Sequence, residues 1–399
     1  MPERRPKGDE ERDEKQGAAI YLDYNATTPH DPEVVAAMRP YLEEHFGNPS
    51  SSHLYGRITR GAVENARAQV ASLLNCQPDE VVFTSGGTES NNYAIRGMAF
   101  ALRDLGNHII TSQIEHPAVK EVCRFLEGHG FEVTYLPVDQ HGLVSTTDVE
   151  EAIRLETIFL TIMHTNNEVG TIQPIERISR IAREHGIPFH TDAAQSVGKI
   201  PIDINVLGAD LLSIAGHKLY APKGIGALYI RRGLKLEKLI YGAGQEYGRR
   251  AGTENVLEIV GLGYACEIAR RDLAKNMAHM KATRDGLAKR LLQKVDGARV
   301  NGHPEFRLPN TLSISFRDVD ASVLLDEVQE YVAASAGAAC HSDRVEVSEV
   351  LRAINLPVEW ARGTVRFSTG RMTTHQEIEE AAEVVADAVL KLRTKRGTS

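Results

Sequence analysis

No stretch of this 399-residue chain carries the roughly 18 consecutive apolar residues that would span a bilayer. Cysteine is scarce: there are four, Cys76, Cys123, Cys266 and Cys340. They are widely spaced, with no C-x-x-C pair and no zinc-like grouping, so no metal site is expected. Four scattered thiols in a chain this long do not make a disulfide framework, and a reducing, cytoplasmic setting is the expectation. An excess of base is also lacking. Lysine and arginine number 46 against 54 acids, a net charge of −8, which argues against nucleic acid as the main ligand. Residues 1–17 lack the apolar core of a secretory signal. Their six acids against five bases do not fit an acid-poor transit peptide either. This segment is expected to be a disordered, solvated tail.

What is present is a globular composition, with 42% hydrophobic and 25% charged residues. The length implies more than one structural unit. From about residue 80 to 230 strand-like runs alternate with helical ones. Strands are expected at 81–84, 108–111, 133–136 and 158–163, with helices at 118–128 and 174–185 among them. Such alternation predicts an α/β fold with a mostly parallel sheet. The pattern then changes. A long helical stretch at 256–295, broken once, is followed by a strand at 311–316, a helix at 321–329, a strand at 364–368 and a final amphipathic helix at 374–392. That is a smaller α+β unit.

Three features fall at predicted strand ends. The turn Gly86-Gly87-Thr88 joins a strand to a helix, whose N-terminus offers free N–H groups to a phosphate. Asp192 ends a buried-looking strand, and Lys218 follows another in the run Ala215-Gly216-His217-Lys218. Open α/β sheets bind their ligands at the carboxyl ends of strands. A strand-end lysine that can form a Schiff base, and a carboxylate that can keep a pyridine nitrogen protonated, are what a pyridoxal phosphate site needs.

These segments resemble the cysteine desulfurases of the NifS/IscS class, which are fold-type I pyridoxal phosphate enzymes. The resemblance is carried by YLDYNATTP at 21–29, FGNPSS at 46–51, TSGGTESN at 84–91, EH at 115–116 and NNEVG at 166–170. It continues with TDAAQSVG at 191–198, GHK at 216–218, RRAGTEN at 249–255, RFS at 366–368 and GR at 370–371. It implies a tail (1–17), an N-terminal segment joining the smaller unit (18–30), a large cofactor-binding domain (31–260) and a small C-terminal domain (261–399). It also implies roles. Lys218 would carry the Schiff base and Asp192 would hold the pyridinium. Gln195 would bond the phenolic oxygen, and His116 would stack on the ring and move protons. Gly87, Thr88 and His217 would bind the phosphate, and Thr253 would reach the phosphate of a neighbouring subunit in a homodimer. Asn167 and Arg366 would hold the substrate carboxylate, a task suited to arginine's planar fork. One position departs from the family: Ala215 stands where many members have a phosphate-binding serine.

Cys340 selects the reaction. Its neighbours, Gly337-Ala338-Ala339 before and His341-Ser342-Asp343 after, are small or polar and predict an accessible, mobile loop. The resemblance makes Cys340 the sulfur acceptor. L-cysteine would become L-alanine, and the persulfide left on Cys340 would pass to an acceptor protein such as an iron–sulfur scaffold. The same loop, Thr161-Ile162-Met163 and Ala215 also resemble the selenocysteine lyases, so release of selenium from L-selenocysteine is the alternative. An aminotransferase would use the same Lys–Asp frame without needing Cys340, and a catalytically silent sulfur-relay scaffold would not need the frame.

Overall fold

A computed structural model of the chain describes residues 19–341 and 344–397. The charged tail of residues 1–17 lies outside them, as do Ser342 and Asp343. The chain enters through the short strand Ile20–Tyr21 (β1). Val81–Thr84 (β2), His108–Ser112 (β3), Glu132–Leu136 (β4), Thr157–Thr161 (β5), Phe189–Asp192 (β6), Leu211–Ala215 (β7) and Gly226–Ile230 (β8) then build a seven-stranded sheet in the order β2-β8-β7-β6-β5-β3-β4. The central pairings are parallel, while β8 runs antiparallel to both β2 and β7. Helices cover both faces, so β3, β5 and β7 are buried at every residue. Alternate side chains go to opposite faces. Ile110, Leu160 and Leu212 join one core, while Ile109, Phe159 and Leu211 join the other. Two-sided burial explains why these strands read as continuous apolar runs.

The C-terminal half supplies Ala298–Val300 (β9), Thr311–Phe316 (β10), Val332–Ala333 (β11), Ser335–Ala336 (β12), Ala338–His341 (β13), Arg344–Val347 (β14) and Thr364–Ser368 (β15). An antiparallel sheet has the order β12-β15-β10-β9, and its core gathers Leu312, Ile314, Phe316 and Phe367 against the helix His375–Gly397. β1 pairs in parallel with β11, and Leu22 is buried in this same core.

The helix Val256–Lys294 runs unbroken for 39 residues, against the expectation of one break. Its glycines are packing positions rather than breaks. A Cβ added at Gly263 would lie 2.5 Å from the Ala66 Cα, so the glycine lets the helix Leu54–Leu74 approach closely. Leu262, Cys266 and Ala269 pack on the first core, and Leu287 and Leu291 on the second. Residue 260 therefore lies inside a helix whose next three turns still face the large sheet. Among the described residues no helix is long and apolar enough to cross a membrane.

Cys340 lies on a strand and not on an irregular loop. In β13 it pairs with Val345 of β14 in an antiparallel ladder. The small residues before it signal a loop by composition. The alternating Val345 and Val347 of the partner strand supply the β preference.

Candidate active site

The carboxyl ends of the large sheet converge on a cavity of about 350 Å³. Gly87 and Thr88 open the helix after β2, where the first N–H groups have no intrahelical acceptor. His116 stands at the end of the turn after β3, and Asn167 follows β5. Asp192 ends β6, with Gln195 in the turn beyond it. Ala215 ends β7, and His217 and Lys218 follow in a single 3-10 turn. Arg366 comes across from β15 of the second sheet, and Asn25 from the N-terminal segment. Thr253 is exposed and does not line this cavity.

Lys218 Nζ donates to the carbonyls of Asn25 and, at 2.7 Å, Ala26. Burial, helped by the charge of Arg366, lowers its pKa to about 8, against the pull of Asp23 and Asp192. The neutral, nucleophilic amine is therefore accessible near neutral pH. Asp192 Oδ2 accepts from Asn91 Nδ2 at 2.7 Å, and its Oδ1 accepts from the Ala194 N–H at 2.9 Å. These bonds aim the carboxylate and leave lone pairs for a donor in the cavity.

His116 caps a helix and faces the cavity at once. Its Nδ1 caps the helix Pro117–Glu127 by accepting from the Ala118 N–H at 3.1 Å, and its ring lines the cavity. Burial pushes its pKa down, the nearby Lys218 adds to this, and Asp192 opposes it. A neutral ring that accepts at Nδ1 carries its proton on Nε2, so His116 offers Nε2–H. His217 is held down to about 4, chiefly by burial and then by Lys218, so it too is a neutral imidazole at neutral pH.

Arg366 is held from three sides. Nη2 donates to Asp23 Oδ1 at 2.7 Å and Ser335 Oγ at 2.9 Å, and Nη1 donates to the Asn167 carbonyl at 3.1 Å. Its Nε is buried without a hydrogen-bond partner. Asn167 and Arg366 also border a second cleft, of about 390 Å³, whose far wall is Gly337, Val347 and Ser348. Gly337 and Ser348 flank the β13–β14 hairpin, and Val347 is its last residue. Cys340 follows Gly337 by three residues, about 10 Å of extended backbone.

A model of the aminotransferase class-V family matches residues 20–380. The chain is 50% identical over 376 residues to the cysteine desulfurase IscS of Dictyoglomus turgidum, covering 94% of this chain and 95% of the relative. Among solved structures, a NifS-like protein superposes with a TM-score of 0.87 at 37% identity, covering 92% of this chain and 98% of that one. SspA in complex with cysteine gives 0.78 at 40% identity, covering 89% and 100%. The chain belongs to the aminotransferase class-V family, in its NifS/IscS class of cysteine desulfurases.

Enzymes of this class depend on pyridoxal phosphate, and the cavity fits such a group. Three of its lining residues, Asn91, Thr165 and Arg366, keep a buried polar atom without a partner. Unpaired polar atoms at one cavity are the mark of a site built for a polar ligand. A Cβ at Gly87 would meet the Ala215 Cβ at 3.1 Å, so the glycine lets the helix start pack closely on the end of β7. Ala215 carries no hydroxyl to offer a phosphate. The donors that would remain are the N-terminal N–H groups of the helix, Thr88 and His217.

Sequence reasoning assigned no role to Asn25, Asn91, Glu115 or Lys199. Glu115 sits within a quoted motif, yet its importance lies in burial that no motif reveals. It is 2% exposed and accepts from Ser112 Oγ at 2.6 Å and from the Met163 N–H at 2.9 Å, tying the end of β3 to the end of β5. Burial raises its pKa to about 8, with Asp192 adding to the rise. The folded protein therefore keeps a proton that the unfolded chain has lost. Stability from this group is complete below the unfolded carboxyl pKa and is lost as pH rises through about 8. Denaturant titrations of the parent and Glu115→Gln at pH 5 and pH 8.5 test this. The parent should lose on the order of a few kcal/mol relative to the variant over that interval. Parallel pH dependences in the two proteins would refute it.

Proposed function

We propose that this protein binds pyridoxal phosphate in the cavity around Lys218 and converts L-cysteine to L-alanine, taking the sulfur onto Cys340 as a persulfide. One observation carries the reading. The amine of Lys218, the carboxylate of Asp192 and the guanidinium of Arg366 line one cavity, and Arg366 also borders the cleft at the root of the Cys340 hairpin. Bound there, pyridoxal phosphate would supply an electron sink for the charge left when the substrate α-proton departs. Asp192 would accept from its ring nitrogen, Gln195 would donate to its phenolic oxygen, and Gly87, Thr88 and His217 would hold its phosphate.

The chain's own groups supply the rest. Arg366 and Asn167 bind the substrate carboxylate. The Lys218 amine, docked on the Asn25 and Ala26 carbonyls when free, takes the α-proton at Nζ and returns one to carbon. His116 offers Nε2–H at the ring face. The Cys340 thiolate attacks the substrate sulfur: an S–S bond forms as the C–S bond breaks, and the carbon fragment gains the proton it lacks to leave as alanine. Cysteine plus a thiol gives alanine plus a persulfide, so no external oxidant or reductant is required.

Three further parts of the reading follow. The exposed Thr253 serves the phosphate site of a second copy in a homodimer. Phe46 and Tyr55, stacked on each other and both exposed, support an interface on the surface that they share. The persulfide passes to an acceptor protein such as an iron–sulfur scaffold, in a cytoplasmic setting. Between the two chalcogens, the named relatives favour sulfur. The test supplies the cofactor-loaded protein with L-cysteine or L-selenocysteine and measures alanine and protein-bound persulfide. Alanine from cysteine with one persulfide per active chain is expected. Turnover of selenocysteine with cysteine inert would replace the reading by a selenocysteine lyase.

A further inference from the structure

Beneath the cavity lies a lysine that the mechanism does not use. Lys199 is 4% exposed and forms no ion pair among the described residues. A buried ammonium without a counter-ion is expensive, and sequences retain one only for a reason. Its Nζ reaches two neutral acceptors, Gln195 Oε1 at 2.7 Å and Asn25 Oδ1 at 3.1 Å. The charged groups that act on it, Lys218 and Arg366, are both cationic and add to burial in lowering its pKa.

The contact with Gln195 fixes more than a distance. Gln195 Nε2 donates to the Asn25 carbonyl, which only accepts, so the amide atom facing Lys199 is the oxygen. The amide nitrogen is thereby turned the other way. It donates one hydrogen to the Asn25 carbonyl at 3.0 Å and keeps a second, while the residue lines the cavity. With Lys199 absent, this orientation would rest on the bond to the Asn25 carbonyl alone. A flipped amide would present a carbonyl to an electron-rich oxygen.

We propose that Lys199 is a positioning residue that locks the Gln195 amide with its N–H toward the cavity, so that Gln195 donates to the phenolic oxygen of the cofactor. This rests on the cofactor reading given above. A hydrogen bond to that oxygen spreads its negative charge and weakens its hold on the proton shared with the cofactor–lysine linkage. Loss of the donor raises the pKa of the linkage.

The experiment is a pH titration of the visible absorbance of the cofactor-loaded protein, without substrate. It compares the parent, Lys199→Met, Gln195→Ala and the double variant. Gln195→Ala should raise the apparent pKa by about one unit, the scale of one hydrogen bond to a charged group. Lys199→Met should raise it by a measurable part of that, and the double variant no further than Gln195→Ala, because both substitutions act on the same bond. Additive shifts would mean that Lys199 acts by its charge rather than through Gln195, and an unshifted Lys199→Met would remove any role; either overturns the proposal. If Lys199→Met does not fold, Lys199→Gln keeps an N–H donor without the charge. An unshifted titration there supports the proposal, and a full shift overturns it. A parent protein with no visible band after addition of pyridoxal phosphate would instead sink the cofactor reading itself.

Discussion

Replacing Lys218 by alanine is expected to lower the rate of alanine formation from cysteine by about four orders of magnitude, the upper end of what a positioned general base contributes. Lys218 is the one lysine lining the cavity, and its pKa of about 8 makes it the group there that can be an amine at neutral pH. The Arg366 guanidinium stays charged and cannot substitute. The visible band of the lysine–cofactor linkage should vanish with the amine. Cofactor should still be retained, because Asp192 and the phosphate donors are untouched. Retained cofactor separates loss of chemistry from loss of binding. A Lys218→Ala protein with more than about one percent of parental kcat would assign the base elsewhere.

The second large effect is expected from Cys340→Ser. Alanine formation from cysteine should fall at least about a hundredfold, and no protein-bound persulfide should appear by mass spectrometry. A thiol is a few per cent thiolate at neutral pH, whereas a serine hydroxyl is not measurably ionised and attacks sulfur poorly. The spectral change on adding cysteine should persist, since Lys218, Asp192 and Arg366 remain in place. Loss of turnover with retained substrate binding places Cys340 after the binding step. Full turnover in the serine variant would refute persulfide formation at this residue. L-selenocysteine adds a contrast: its selenol is more acidic and needs less help, so the variant should retain a larger share of that activity.

Much of this cavity was legible because its residues sit in short motifs at strand ends. Gly87, His116, Asn167 and Lys218 each follow a strand of the large sheet and Asp192 ends one, and a parallel sheet gathers such ends without further instruction. Arg366 was legible only through resemblance, because nothing local says that β15 faces the large sheet. Asn25 escaped notice for a physical reason. Its side chain donates to Thr311 Oγ1 and its N–H to Ser368 Oγ, partners 286 and 343 residues away. An asparagine among turn residues carries no mark of such reach. The Cys340 hairpin was misread because composition reports the small residues of one strand, while the ladder depends on the valines of the other. The long helix was expected to break once, yet glycine, which lowers helix preference, does not break it. At Gly263 close packing against Ala66 outweighs that preference.

The bonds that Asp23 and Asn25 make with Arg366 and Ser368 have a consequence for the order in which the protein is made. Asp23 and Asn25 wait for partners that leave the ribosome 343 residues later. The large sheet can pair its strands well before then, but one wall of the cavity cannot. Lys218 and Asp192 would thus be in place while Arg366 is still unmade. A nascent chain stalled after β8 should hold the groups proposed for the cofactor without those proposed for the substrate, and the site is complete only when these distant segments meet.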